Sequence, residues 1–409
     1  TRERKKARQH KQSAKHTHTH TPPHAHTHTN ERTHNNKTNT NNKTIHQKGC
    51  IVVCAQQQQS NFFSSSEDSS DADVSKKKPD SPRKNKTIFD SRKTLTCILD
   101  DWLGPEPLFK DREFETHFRV SKARSQRLLE DVMAKKDPFF KPSVEDNVTS
   151  LYAKLLLPMK TLCYGVAAHT FQDYFQMSTT TARVACNKFD VIIAEIYMSE
   201  YMRLPTKADL ISINQLHNVH GVAGLIGSLD CMHATWKNCP KAWQQSYRDK
   251  EKKPTIVLEA ACDYHTWFWH ASFGYPGELN DINIFNISPL LEVFLDGRYL
   301  QLESGVCPFN LGDSIMDHMF FLVDGIYPCL SRLAKSYLQP SNAKERKYSK
   351  WHEAVRKDIE RAFGILQTKF QFMCTPIQLI DLKLIGPRVA ICLILHNMYV
   401  SDRVMGDVY

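Results

Sequence analysis

Three strand-length apolar runs follow one another within residues 225–283, and no other stretch restricts the fold so tightly. Leu225-Ile226-Gly227-Ser228-Leu229 runs up to Asp230; Pro254 to Ala261 is β-branched and apolar; Thr266 to Phe273 is aromatic. Each is bounded by turn residues or charges, which predicts three consecutive buried strands. Asp230 closes the first run, and Asp281 lies just past a Pro276-Gly277 turn. Carboxylates at strand ends beside a Gly/Pro loop are placed to hold a metal ion at the rim of a sheet.

The 409 residues suffice for two domains with a sizeable core. The net charge of +10 is unevenly spread. Residues 1–95 carry 19 Lys/Arg against 8 Asp/Glu, whereas the remaining 314 carry 35 against 36. Basic character belongs to the N-terminal region, so any basic face on the folded part must be local. The twelve cysteines show no paired spacing of the zinc-binding kind, a pattern that suits reduced thiols in a cytosolic or nuclear protein. No apolar run reaches the roughly 20 residues a membrane helix needs. Val389 to Val400 comes nearest and is interrupted by His396 and Asn397.

Residues 1–95 read as a disordered, low-complexity basic tail, with a His-Thr alternation, an Asn/Thr run and four glutamines. Two Lys/Arg clusters, Arg2 to Arg8 and Lys76 to Lys86, have the form of nuclear import signals or phosphate contacts. Residues 96–203 form a helical domain by their apolar spacing. Within it Ser178-Thr179-Thr180-Thr181 caps a helix over 182–196, and the turn through Met177 gives a helix-turn-helix-like segment. Arg183, Asn187 and Lys188 fall on its outer face, within reach of DNA; plain helical packing explains the same pattern. Leu204 to His220 reads as a linker, and the third domain spans 221–401. There a short helix is expected over 288–295 and a surface loop over 301–317. A fourth buried strand, Met319 to Val323, ends at Asp324. An apolar stripe from Val355 to Phe370 predicts a helix over 350–370, and a last helix runs over 388–400.

Three strands, a helix, a fourth strand and a helix bearing Glu360 make the ribonuclease H-like order: an α/β fold with a mixed sheet flanked by helices. That order brings Asp230 and Asp324 to one rim and delivers Glu360 across from them. Mg²⁺ or Mn²⁺ takes such carboxylate oxygens, and two ions roughly 3.5–4 Å apart clamp both oxygens of a phosphodiester displacement. Taken singly, each acid has a plainer reading. Glu360 completes an i,i+4 pair with Arg356, Asp281 caps the helix that follows it, and Asp324 starts a turn before Gly325.

Longer motifs discriminate between these readings. Gly227 to His233 (GSLDCMH), Trp236 to Pro240 (WKNCP), Pro254 to Ala260 (PTIVLEA), Asn280 to Asn283 (NDIN), Leu322 to Pro328 (LVDGIYP), Arg356 to Gly364 (RKDIERAFG) and Leu395 to Met398 (LHNM) resemble, in matching order, the PIF/Harbinger transposases and their domesticated nuclease-like relatives. The likeness covers about residues 151–400. It implies a DDE-type nuclease with a ribonuclease H-like core that cuts transposon ends and joins strands with divalent metal. Carried over residue by residue, the catalytic and metal-binding acids are Asp230, Asp281, Asp324 and Glu360, the strand order favouring Asp230, Asp324 and Glu360 as the core set. Arg356 steadies Glu360 or touches a DNA phosphate, and His233 packs beside the site. The likeness further implies DNA and a separate Myb-like DNA-binding protein as partners, and a nuclear location; a homo-oligomer is compatible with the sequence, which does not name the oligomeric state. Two other classes compete: a domesticated, non-cutting adapter for DNA or chromatin, and a metal-dependent phosphoesterase acting on small substrates. The 1–95 region and the 303–318 loop depart from the family pattern.

Overall fold

The computed structural model describes residues 51–52, 89–141, 150–295, 309–311, 313–316 and 318–406. The His-Thr alternation and both Lys/Arg clusters lie outside them. Within the expected tail, Ile51–Val52 form a short strand (β1), and Asp90 caps a helix beginning at Ser91.

Among the described residues, the helical region holds α1 (Ser91–Ile98), α2 (Asp111–Phe118), α3 (Lys122–Ala134), α4 (Leu151–Tyr164), α5 (Gln172–Phe175) and α6 (Thr179–Tyr201). The Ser178 hydroxyl accepts the Thr181 N–H and starts α6, as the Ser/Thr run predicts. The element before the Met177 turn is the single α-helical turn α5, directly continuing a 3₁₀ turn over Ala168–Phe171. Where a linker was expected, residues 207–219 are helical (α7, Lys207–Val219). Thr206 and Asp209 form a capping box, and Leu210, Ile213 and His217 are buried. Three buried positions on one face are too sparse to stand out as a period.

The strands are β2 (Leu225–Thr235), β3 (Thr255–Cys262) and β4 (Phe268–Pro276). After helices α8 (Asp281–Phe285) and α9 (Pro289–Leu295) come β5 (Phe309–Leu311), β6 (Ser314–Met316), β7 (Phe320–Val323) and β8 (Leu333–Lys335). The fold is a mixed α/β one. Its main sheet has the order β1-β4-β3-β2-β7-β8. β2, β3 and β4 pair antiparallel, while β2–β7 and β7–β8 are parallel. The first strand does not stop at Asp230, because β2 continues five residues further along β3. Part of the expected 301–317 loop is the β5–β6 hairpin.

Two long helices complete the chain, α10 (Ala343–Lys369) and α11 (Leu382–Gly406). α10 begins earlier than its apolar stripe because Asn342 caps it, accepting the Glu345 N–H at 2.9 Å, and its first turns are mostly exposed. α11 runs through Pro387: burial of Leu382 and Ile385 below the proline offsets the backbone hydrogen bond it removes. At 25 residues, α11 is long and apolar enough by length and composition to cross a membrane, contrary to the expectation from the uninterrupted run. It is a core helix instead, with residues 389–397 fully buried. One hydrophobic cluster joins Phe114, Phe189 and Ile193 of the helical region to Leu258, Ile359 and Leu395 of the sheet region.

Candidate active site

β2 and β7 run parallel with Ser228 beside Leu322. Asp230 and Asp324 each lie two residues further on, so they stand level on neighbouring chains. On the other side of β2, Gly227 lets the end of β3 approach closely, since a Cβ there would lie 1.9 Å from the Cys262 carbonyl oxygen. Helix α10 packs across β2 and brings Arg356 and Glu360 over the same point. The Arg356 guanidinium donates to Asp230 Oδ2 at 2.7 Å and to Glu360 Oε1 at 3.2 Å. Asp230 and Arg356 are each about four-fifths buried, whereas Glu360 is 52% exposed. The expected i,i+4 pair therefore exists, and it is one half of a bridge to the strand.

The Asp230 carboxyl also accepts the Cys231 N–H at 2.8 Å. Burial raises its pKa above the usual carboxylate range, against the pull of Arg356 and that N–H, and Asp281 adds to the rise. Asp324 accepts the Gly325 N–H at 2.5 Å and so starts the turn, and it is exposed just past the end of β7. Asp281 is the first residue of α8; the capping side chain is that of Asn280, not Asp281. The Asp281 pKa is likewise raised, first by burial and also by Asp324, while the Cys231 thiol, His233 and Lys250 pull it down. Cys231 and Asp230 are adjacent in a strand and point to opposite faces. Asp281 thus approaches the rim from the α8 side and Glu360 from the α10 side.

His233 is bonded through Nδ1 to the Thr255 hydroxyl at 3.0 Å, a packing contact. Sequence reasoning missed Cys231, whose thiol lies 3.8 Å from the Tyr327 hydroxyl beneath the acids, and Lys250, whose charge bears on Asp281. The LVDGIYP motif contains that tyrosine, but no spacing argument places it under Asp230. Arg183 and Lys188 are exposed on α6 and Asn187 is half-buried, while Ala182, Ala185 and Phe189 bury the opposite face.

All four acids offer hard oxygen donors, which fits Mg²⁺ or Mn²⁺. Burial and mutual repulsion raise Asp230 and Asp281, and a divalent cation relieves that strain more fully than one guanidinium does. Among the described residues, no three His, Cys, Asp or Glu side chains stand in a ready-made ligand array. The Arg356 guanidinium lies between two of the candidate ligands.

The family model described as "Plant transposon protein" matches residues 199–407, from the end of α6 through α11. "Protein ALP1-like" of Arabidopsis thaliana is 21% identical over 305 residues, covering 72% of this chain and 73% of its own. "Putative nuclease HARBI1" of Bos taurus is 27% identical over 177 residues, 42% of this chain and 45% of its own. The Mus musculus protein of the same name is 27% identical over 158 residues, 39% and 40%. No solved structure matches. The family-model match spans more than half of the chain, and the chain belongs to the plant transposon protein family, within the Harbinger transposase-derived nucleases.

Proposed function

We propose that this chain is a divalent-metal-dependent DNA endonuclease of Harbinger type, cutting transposon ends and joining strands on a ribonuclease H-like core. One observation carries the reading: Asp230 on β2 stands level with Asp324 just past the parallel strand β7, and Arg356 of α10 bonds both Asp230 and Glu360. The strand order, with three antiparallel strands beside two parallel ones, supports the ribonuclease H-like assignment.

Asp230, Asp324 and Glu360 would hold the ions, with Asp281 assisting from the α8 side. Bound Mg²⁺ or Mn²⁺ would lower the pKa of the attacking water or 3′-hydroxyl and neutralise charge at the leaving oxygen. Arg356 favours the charged form of Asp230 against burial and bridges it to Glu360; its remaining donors would suit a phosphate oxygen. Gly325 and Cys231 fix the carboxylates through their backbone N–H groups, so the ligands are oriented before substrate arrives. Arg183, Asn187 and Lys188 offer a second DNA contact. Site selection and nuclear entry fall to a separate Myb-like partner, in keeping with the near-neutral charge of residues 96–409.

A second reading, a non-cutting DNA or chromatin adapter, draws on the Arg356 bridge, in which one guanidinium pairs with both Asp230 and Glu360. Nicking of supercoiled plasmid with Mg²⁺ or Mn²⁺, supplemented with the DNA-binding partner, separates the two. The parent is expected to nick, and Asp230→Asn or Glu360→Gln to lose at least about 100-fold while still unfolding cooperatively. Equal cutting by both variants would remove the assignment, and a parent that never cuts would leave the adapter.

A further inference from the structure

Between β2 and β3 lies a loop, residues 236–254, that the cutting chemistry leaves unused. We propose that it is a clamp for single-stranded substrate DNA, with Trp243 as the platform on which one nucleobase stacks. This rests on the DNA reading above and names the surface that grips the strand.

Charge is the first ground. Residues 237–253 hold six Lys/Arg against two Asp/Glu, in a 314-residue region with 35 against 36. This loop is a local basic face within a region of near-neutral overall charge. Such a loop attracts a phosphate backbone regardless of sequence. Lys241, Lys250 and Lys253 are all exposed.

The exposed indole is the second. Trp243 is 45% exposed, while Trp102, Trp236 and Trp269 are 3%, 0% and 7%. Tyr247 lies nearly parallel to it at 6.1 Å and 21°, and Trp236 supports it from 6.0 Å. A large apolar ring kept in solvent, braced by aromatics and carried on a lysine-rich loop, suits a nucleobase π-face better than an apolar protein partner.

Position is the third. The loop is pinned at its start, where Trp236 Nε1 donates to the Leu379 carbonyl at 2.8 Å and Asn238 Nδ2 to that of Gln378 at 2.6 Å. Its far limb is tied to the turn that carries Asp281, since the Glu278 N–H donates to the Ser246 carbonyl at 3.2 Å. That turn admits no side chain at Gly277, where a Cβ would sit 2.5 Å from the Tyr247 carbonyl oxygen. Lys250 reaches far enough to act on the charges of Asp281 and His233. A strand gripped by this loop lies beside the acid rim.

The test uses the full chain in EDTA, so that cutting plays no part, and a single-stranded 12-mer carrying 2-aminopurine. Residues 1–95 contain no Trp or Tyr, so quenching by those rings reports the folded part. The parent should quench 2-aminopurine on binding. Trp243→Ala should lose most of the quench and bind about five- to 150-fold more weakly, with an unchanged salt slope, and Trp243→Tyr should recover much of both. Lys241→Gln, Lys250→Gln and Lys253→Gln together should flatten the slope of log K against log salt by about two, and Lys207→Gln should not. Parent-like quenching and affinity in Trp243→Ala, or an undiminished slope in the triple variant, overturns the clamp, as does a parent that never quenches. A non-nicking parent that still shows the Trp243 effect removes the cutting assignment and leaves the clamp standing.

Discussion

His396 and Asn397 show how two polar side chains in an otherwise apolar helix are used. Asn397 accepts the Phe268 N–H at 2.9 Å, and its amide donates to the carbonyls of Phe268 and Tyr201 at 2.9 and 2.8 Å. One fully buried side chain thereby ties β4 and the end of α6 to α11. His396 donates from Nε2 to the Thr266 carbonyl at 2.8 Å. Burial depresses its pKa to about 4, with Lys369 adding to the fall. A group whose folded pKa lies below its unfolded value stabilises the fold above the unfolded pKa and loses that contribution as pH falls through the folded one. For His396 the window runs from about 6.5 down to 4, and the contribution lost is on the order of 3 kcal/mol. Urea unfolding at pH 7 and pH 4.5 should show a larger drop in the parent than in His396→Gln. Equal drops would mean that the imidazole is not held neutral.

Helix α10 carries the argument at the next scale. Its Arg356 is both the strand-to-helix clasp and the cation standing where the site's excess negative charge needs one. Arg356→Gln should lower the metal-free melting temperature, because a mostly buried Asp230 is left without its partner; the cost is about 1–3 kcal/mol. The same change frees the acids, so millimolar Mn²⁺ should raise the variant's melting temperature more than the parent's. A smaller rise in the variant would show that Arg356 organises the ligands rather than competing for them. The sequence exposed this element only where apolar residues recur: the stripe from Val355 to Phe370 is plain, but residues 343–349 are charged and solvated. β2, β3, β4 and β7 were legible because buried strands read as continuous apolar runs, and Asp230 and Asp324 stood out as the acids that follow them. Strand β8, three residues long, and α7, with three buried positions, carry too little period to detect. The clasp between Asp230 and Arg356 spans 126 residues and depends on how α10 crosses the sheet, which no local pattern encodes.

At the scale of the whole folded region, the change of character near residues 204–220 is not a break in packing. The cluster that holds Phe114, Phe189 and Ile193 also holds Leu258, Leu366 and Leu395. Helix α11 lies between the two regions, and its Arg388 donates to Asp190 of α6 at 3.2 Å with both side chains nearly buried. A chain cut to residues 207–409 would leave the α6-facing side of α11 in water along with an unpartnered Arg388. Burying a single Leu or Ile is worth about 1.5–3 kcal/mol, so losing several such contacts exceeds the net stability of an ordinary domain. The truncated chain should show no cooperative thermal transition and a flattened near-ultraviolet circular dichroism spectrum. In the full chain the near- and far-ultraviolet signals should melt together. A cooperative melt of the fragment near the parent's temperature would mean that the helical region is an appendage. The continuous core argues instead that residues 91–201 hold α11, and through Asn397 and Phe268 the sheet edge, in place. The acid rim is then as rigid as the helical layer behind it, and substitutions in α6 that touch no ligand should loosen metal binding by loosening the sheet.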